Sequence, residues 1–262
     1  MLLCTVRDCR SPLNGVEPSR FSCARGHSFD VARSGYLNLL QPQDRKSKQP
    51  GDTVAAVTGR RRLHDSGVTA PLLEGISAML PISCDDIVLD AGCGEGFYLG
   101  ALAEKAGCQA YGVDISIPAI EAAAKRYSSA RCRCQWIVAN ADLFVPFADQ
   151  SLSIVMSITA RQNPSEFQRV LRKDGSLLVA IPGPEDIAEL RGPGRDRSVK
   201  TIETFAEHFA LESQQRITTS ADLDASLVED VLHSIYRPMR AKPVEAMRVT
   251  FSLDLLLFRR KV

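Results

Sequence analysis

Ile87-Val88-Leu89-Asp90-Ala91-Gly92-Cys93-Gly94-Glu95-Gly96 is the stretch on which the reading of this chain turns. An apolar run closed by an acid and glycines suits a short buried strand of a parallel sheet that ends in a tight turn. The segment from Phe97 to Lys105 then continues as a helix. Glycines at such a turn let the backbone approach a ligand closely, with the helix N-terminus aimed at it. A dinucleotide-binding loop, G-x-G-x-x-G, requires glycine at position 97, where this chain has Phe97. The spacing present is D-x-G-x-G-x-G, from Asp90 through Gly92, Gly94 and Gly96.

That spacing resembles the S-adenosylmethionine (SAM) loop of the Rossmann-like methyltransferases. SAM has no pyrophosphate but carries an amino acid end, with an ammonium and a carboxylate for Asp90 and the loop backbone to hold. The alternative is a tight turn that binds nothing. The resemblance makes Asp90, Gly92, Gly94, Glu95 and Gly96 cofactor-binding candidates. A second strand over 109–115 ends in Val113-Asp114-Ile115, with Asp114 lying 22 residues after Gly92. A carboxylate there either accepts both ribose hydroxyls or caps the following helix over 116–127, and Ile115 covers one adenine face. A third strand over 134–139 leads to Asn140-Ala141-Asp142. In this fold class that strand end meets the adenine, so Ala141 and Asp142 join the candidates, Asp142 as acceptor of the amino group.

The alternation continues with a strand over 152–158, a helix over 165–171, the turn Lys173-Asp174-Gly175 and a strand over 176–181 closed by Pro182-Gly183-Pro184. A helix over 72–80 leads in to the first strand. The last third reads as a helix over 201–209, a strand over 211–218, a helix over 223–234 and a final strand over 249–258. Hydrophobic residues make up 45% of the chain and charged ones 24%, which excludes a disordered or fibrous protein. No apolar run approaches the length that crosses a bilayer, and no signal peptide is visible, so the cytoplasm is the expected location.

The net charge of +1 hides an asymmetry. Residues 1–62 hold 11 Lys/Arg against 5 Asp/Glu, a balance of +6, and the remainder a balance of −5. A basic front end on an acidic body points either to a polyanionic partner or to a solvated arm. Cys4, Cys9, Cys23 and His27 stand close together in this front end as C-x4-C-x13-C-x3-H. Tetrahedral zinc takes three thiolates and one imidazole, and the metal supplies folding energy that so short a segment cannot bury. The close pairs come from two turns, as in a zinc ribbon. Incidental cysteines beside a surface histidine are the alternative. Cys84, Cys93, Cys108, Cys132 and Cys134 lack such an arrangement and read as packing cysteines.

Gly26-His27-Ser28-Phe29-Asp30-Val31-Ala32-Arg33-Ser34-Gly35-Tyr36-Leu37-Asn38-Leu39-Leu40 follows. With the ligand cluster before it, Pro50-Gly51-Asp52 after it, the Arg60-Arg61-Arg62-Leu63 segment and the glycine loop beyond, the chain resembles the 23S ribosomal RNA guanine-N1 methyltransferases. That family includes members linked to macrolide resistance. The resemblance covers residues 4–72 and 87–185. It implies an α/β Rossmann-like class I SAM methyltransferase with an N-terminal zinc-ribbon module, acting on N1 of a guanine in a 23S rRNA hairpin loop. The expected divisions are a zinc-binding module over 1–36, a basic linker and helix over 37–70, and the SAM-dependent domain over 71–262. A homodimer is expected by similarity. The sequence departs from the family at its wider first thiol spacing. Thr69 stands where members often have an aromatic, and Asp186 where they tend to have histidine; both positions contact SAM in the family.

From the residues themselves, Asp52 is the expected N-cap of a helix over 53–64. Arg60-Arg61-Arg62 on that helix are more cations than one face pairs, so they contact RNA phosphates or acids of the SAM domain. Residues 41–50 read as a polar linker carrying Arg45, Lys46 and Lys48, and Arg237, Arg240, Lys242 and Arg248 near the C-terminus border either an RNA cleft or solvent. Guanine N1 must lose a proton before it attacks the SAM methyl, and Asn163 and Asp186 are candidates to assist. A small-molecule SAM methyltransferase and a non-catalytic RNA-binding relative are the competing classes.

Overall fold

Buried apolar strands alternate with helices from residue 87 to residue 182 and build the parallel centre of an eight-stranded sheet. The structure is a computed structural model describing all residues except 18, 46, 129–131, 236–243 and 262. Lys46, Arg237, Arg240 and Lys242 therefore lie outside the described residues.

An N-terminal three-stranded antiparallel sheet comes first, from β1 (Leu13–Glu17), β2 (Arg20–Cys23) and β3 (Ser28–Asp30). After it, β4 (Leu37–Asn38) runs parallel to a strand of the large sheet and forms its edge. Two helices follow, α1 (Val54–Asp65) and α2 (Ala70–Met79). The central unit is β5 (Ile87–Ala91), α3 (Phe97–Ala106), β6 (Gln109–Asp114), α4 (Ile117–Arg126) and β7 (Cys134–Val138). It continues through β8 (Leu152–Ile158), α5 (Pro164–Val170), β9 (Leu171–Pro182), α6 (Ala188–Arg191) and α7 (Ser198–Phe205). The chain closes with β10 (Phe209–Leu223), α8 (Ala225–Ser234) and β11 (Met247–Arg260). The sheet order is β10-β11-β9-β8-β5-β6-β7-β4, with β10 and β11 antiparallel to their neighbours.

Both faces of this sheet are covered, which is why its strands read as continuous apolar runs rather than alternating ones. On one face Leu63, Leu72, Ile76, Leu99, Ile120 and Val228 bring α1 to α4 and α8 onto the core. On the other, Phe167 of α5 and Phe205 of α7 pack with Leu2, Leu13 and Phe29 of the N-terminal segment. α4 shows how local sequence meets this demand. Ser116 accepts from the Ala119 N–H at its start, and Ala119, Ile120, Ala123 and Ala124 form its buried stripe.

Several boundaries depart from the sequence reading. The N-cap of α1 is Thr53, whose hydroxyl accepts from the Ala56 N–H, while Asp52 pairs with Arg60 at 2.7 Å. Strand β9 begins at Leu171, so the expected turn at 173–175 is an irregularity inside it, between the Leu152–Leu171 and Ile154–Ser176 pairings. Helix α7 starts early because Asp196 accepts from both the N–H and the hydroxyl of Ser198. β10 consequently opens at Phe209, where Phe205, Phe209 and Phe258 bury one another. Cys84 is exposed, not a packing residue, because it sits in the turn before β5.

Gly100 lies on the face of α3 that meets Tyr127, and a Cβ added there would stand only 2.2 Å from the tyrosine ring. Alanine at this position gains about 1 kcal/mol of helix propensity, but overpacking a filled core costs about 1–3 kcal/mol. Gly100→Ala is therefore expected to lower the thermal midpoint by a few degrees in a melt followed by circular dichroism. Adding Tyr127→Leu is expected to recover part of the loss.

Candidate cofactor pocket and metal centre

The chain passes from β5 outward to β6 and β7, then returns to β8 on the opposite side of β5. Open α/β sheets bind ligands beyond the carboxyl ends of their strands at such a reversal. Here Gly92, Gly94 and Gly96 turn the chain in left-handed conformations, with φ of 90°, 55° and 79°. Two of them are also required sterically. A Cβ on Gly92 would stand 2.3 Å from the Cβ of Ala160, just past β8, and one on Gly96 2.4 Å from the Trp136 ring. The N–H groups of Gly92 and Cys93 both donate to the Val113 carbonyl, which ties the turn to β6.

Asp90 lies beneath this turn, 2% exposed, and its Oδ1 is buried without a hydrogen-bond donor. Burial first, then the Asp114 and Glu95 carboxylates, push its carboxyl up to about 8. A desolvated carboxylate among like charges calls for a cation, and the ammonium of an amino acid group fits that need. Asp114 closes the end of β6, where Oδ2 accepts from the Gly94 N–H at 2.9 Å and Oδ1 from the Ser116 N–H at 2.8 Å. It therefore braces both the glycine turn and the start of α4, while each oxygen keeps a further acceptor site for a hydroxyl. Ile115 and Ala141, both partly buried, follow β6 and β7. Asp142 is exposed and meets Arg161 at 3.4 Å. Asn163 caps α5 and donates to the carbonyls of Ala141 and Asp142.

Three further candidates approach from outside these strands. Glu95 is 4% exposed and faces α1, where it meets His64 Nε2 at 3.3 Å and Arg60 at 3.4 Å. Thr69 is 2% exposed, with its hydroxyl 2.7 Å from His64 Nδ1. Asp186 accepts from the Ser252 N–H and from Arg191. Burial, then Glu95 and Asp186, push the Tyr98 phenol up, so Asp186 acts on the same region as the loop. Arg60 and His64 were absent from the sequence reading as site residues. Their i, i+4 spacing on α1 put them on one helix face, but nothing local named Glu95 as their shared partner.

The arginine triplet pairs more fully than its sequence implied. Arg60 binds Asp52 and Glu95, Arg61 meets Asp65 at 3.7 Å, and Arg62 forms two bonds to Asp230 of α8. Of the two readings of the triplet, the structure shows the pairing with acids, which come from different parts of the chain. α1 approaches α8 closely enough for this at Gly59, whose Cβ would stand 3.0 Å from the Asp230 carbonyl.

Cys4, Cys9, Cys23 and His27 converge in the N-terminal segment, their ligand atoms all within 4.8 Å of one another. The wide Cys4–Cys9 spacing is taken up by a turn in which Cys9 N–H donates to Val6 and Asp8 adopts positive φ. The second turn uses Gly26, φ 82°, to bring His27 back to Cys23. Zinc–sulfur and zinc–nitrogen bond lengths place tetrahedral ligands ~3.8 Å apart for two sulfurs and ~3.6 Å for sulfur and nitrogen. Cys9 Sγ lies 3.7 Å from Cys23 Sγ, and His27 Nδ1 lies 3.4 and 3.5 Å from Cys4 and Cys23 Sγ. The donor set fits zinc.

Comparison with known proteins agrees with this geometry. A family model described as "Methyltransferase domain" matches residues 88–175, and a zinc-ribbon model described as "RlmA, N-terminal" matches residues 4–48. The chain is 34% identical to the 23S rRNA (guanine(748)-N(1))-methyltransferase of Streptomyces fradiae, covering 82% of this chain and 78% of that one. It is 30% identical to YxjB of Bacillus subtilis (strain 168), provisionally named a 23S rRNA (guanine-N(1)-)-methyltransferase, over 86% of this chain and 82% of that one. Among solved structures, one chain from a complex between the Haloferax volcanii Trm112 methyltransferase activator and a methyltransferase superposes with a TM-score of 0.56. It is 18% identical and covers 81% of this chain and 99% of that chain, a likeness of fold alone.

Because the Asp90 carboxyl sits at about 8 in the folded chain against an ordinary 3.8, the fold retains a proton that the unfolded chain releases between those values. Its contribution to stability is full below the lower value and is lost as pH rises through the upper one. The urea midpoint is thus expected to fall between about pH 5 and 8, and Asp90→Asn to flatten that slope. Cys23→Ser, which leaves three donors, is expected to abolish zinc retention after dialysis, measured by atomic absorption.

Proposed function

The chain belongs to the 23S rRNA (guanine-N1) methyltransferase family, and on that premise we propose that it methylates N1 of one guanine in a 23S rRNA hairpin loop. SAM and zinc are its cofactors. The observation that carries this reading is one chain holding both a four-donor metal cluster and a left-handed glycine turn after β5 with an unpartnered buried Asp90 oxygen at its start. SAM, when bound, supplies an already activated methyl group, so the protein mainly aligns the acceptor with it.

In this reading Asp90 takes the ammonium of SAM, and the backbone of Gly92, Gly94 and Gly96 lines its amino acid end. Asp114 accepts the ribose hydroxyls, Ile115 and Ala141 flank the adenine, and Asp142 accepts its amino group. Thr69, Glu95 and Asp186 border the same pocket. A base in a hairpin loop is splayed out of its stack to reach such a pocket, since bases are read only when unstacked. The metal-bearing segment grips the RNA beside it. A groove between the Cys4–Cys9 turn and the 140–144 loop is lined by Arg7, Arg10, Asn140 and Phe144, with the Arg10 guanidinium 4.8 Å over the Phe144 ring. Arg7 and Arg10 suit phosphate there, although Asp8 and Asp44 line the same groove and Arg169 also lies over the Phe144 ring, at 5.0 Å.

The division of labour follows the expected segments: a zinc-binding module over 1–36, a linker and helix over 37–70, and the SAM-dependent domain over 71–262. A homodimer working in the cytoplasm completes the proposal. Among the described residues, no helix is long and apolar enough to cross a membrane.

Incubation with methyl-labelled SAM and 23S rRNA, followed by primer extension, tests the reading. N1-methylguanine blocks pairing, so label in the RNA and a new stop one residue before a single guanine are expected. RNA affinity is expected to fall steeply with salt. Wild-type protein that binds SAM but leaves the RNA unlabelled, or that labels only a small molecule, overturns it.

A further inference from the structure

Residues 51–69 lie between the two stretches that match family models, 4–48 and 88–175. Yet this segment fastens directly onto the glycine turn from outside the sheet. The Arg60 guanidinium meets Glu95 at 3.4 Å and Asp52 at 2.7 Å, and a Cβ on Gly94 would stand 3.3 Å from it. The Asp52 carbonyl accepts from the Ser116 hydroxyl at 2.9 Å, and Gly51 packs on Ser116 so tightly that a Cβ would fall 2.6 Å from it. The segment is thus held at the start of α4 as well as at the turn.

His64 completes the arrangement. Its ring stacks flat on Phe97, centroids 3.9 Å apart and planes within 3°, which fixes the ring at the first residue of α3. Nε2 lies 3.3 Å from Glu95 and Nδ1 2.7 Å from the Thr69 hydroxyl. With Glu95 ionised, Nε2 must carry a proton; in the neutral ring Nδ1 then accepts from Thr69. Burial pushes the Glu95 carboxyl up, but the His64 hydrogen bond and the Arg60 charge outweigh it and hold it below the ordinary range. Glu95 is therefore a buried anion with two partners, both on α1. Because it stands between Gly94 and Gly96, its side chain dictates where those backbone groups point.

We infer that Arg60 and His64 are positioning residues: held by Asp52 and Thr69, they clamp Glu95 and thereby pre-set the glycine turn for SAM. The inference rests on the SAM reading of this pocket. The role assigned to both is to hold Glu95, not to bind the cofactor themselves. Their effect is read first in the cofactor's affinity, because the turn they hold lines the cofactor's amino acid end in the proposed reading.

The test is SAM titration by calorimetry on full-length protein, with rRNA methylation measured alongside. His64→Leu is expected to weaken SAM binding by about tenfold or more, since a buried charged partner is left short of a bond. KM for SAM rises accordingly, while KM for RNA stays within about twofold of wild type. His64→Gln, which restores a donor toward Glu95, is expected to recover most of the affinity. Glu95→Gln weakens binding as well, and His64→Leu added to Glu95→Gln costs little more, because both act through one contact. Wild-type SAM affinity in the single variants, or losses that multiply in the double variant, overturns the inference and marks His64 as core filling. Should His64→Leu not fold, Arg60→Gln and Arg60→Gln/Glu95→Gln carry the same comparison. Wild-type protein that binds SAM without methylating rRNA refutes the proposed substrate and leaves this inference standing; wild-type protein that binds no SAM refutes both.

Discussion

Everything at the working end of this protein depends on how closely the backbone after β5 approaches the ends of its neighbours. Ala160 beyond β8 and Trp136 on β7 leave no room for side chains at Gly92 and Gly96, so the turn is squeezed between the two halves of the sheet. That squeeze seals Asp90 from water with one oxygen unpartnered. Burial of that carboxyl beside Asp114 and Glu95 disfavours its ionised form, so it holds its proton well above the ordinary carboxylate range. Site and strain are the same feature seen from two sides.

Two short segments with little core of their own are recruited to serve that turn. The N-terminal segment folds around its four metal ligands, and Leu2, Leu13 and Phe29 dock on the core beneath β5 to β9. Its continuation, β4, becomes an edge strand of the main sheet, so the metal module and the sheet share backbone hydrogen bonds. α1 then crosses to the other face, joined to α8 through Arg62 and Asp230 and to the glycine turn through Arg60 and His64. A chain of polar contacts thus runs from the linker to the pocket without passing through the sheet. Such networks specify one arrangement because each unsatisfied member would be costly.

Much of the fold was legible because its signals are local. The apolar runs of β5, β6 and β8 and the spacing of Cys4, Cys9, Cys23 and His27 each state their role within a few residues. The C-terminal boundaries were less legible. Asp196 starts α7 through its own side chain, and the lengths of β10 and β11 follow from pairing with each other, not from a pattern within either. The partners of the arginine triplet were hidden for the same reason. Its acids reside at Asp52, Asp65, Glu95 and Asp230, and only Asp65 stands at the helical spacing that local sequence can anticipate.

By itself, the order of residues determined the parallel α/β architecture, the left-handed turn after Asp90 and the composition of the metal ligand set. These follow from periodicity, from the steric freedom of glycine and from donor chemistry, all of which act over a few bonds. The tertiary structure alone decided that Asp90 lacks a partner, that Glu95 turns away from the sheet toward α1, and that His64 presents one nitrogen to Thr69 and the other to Glu95. Those outcomes depend on burial and on contacts between residues distant in sequence, and electrostatics acquires its sign and strength only once water has been excluded.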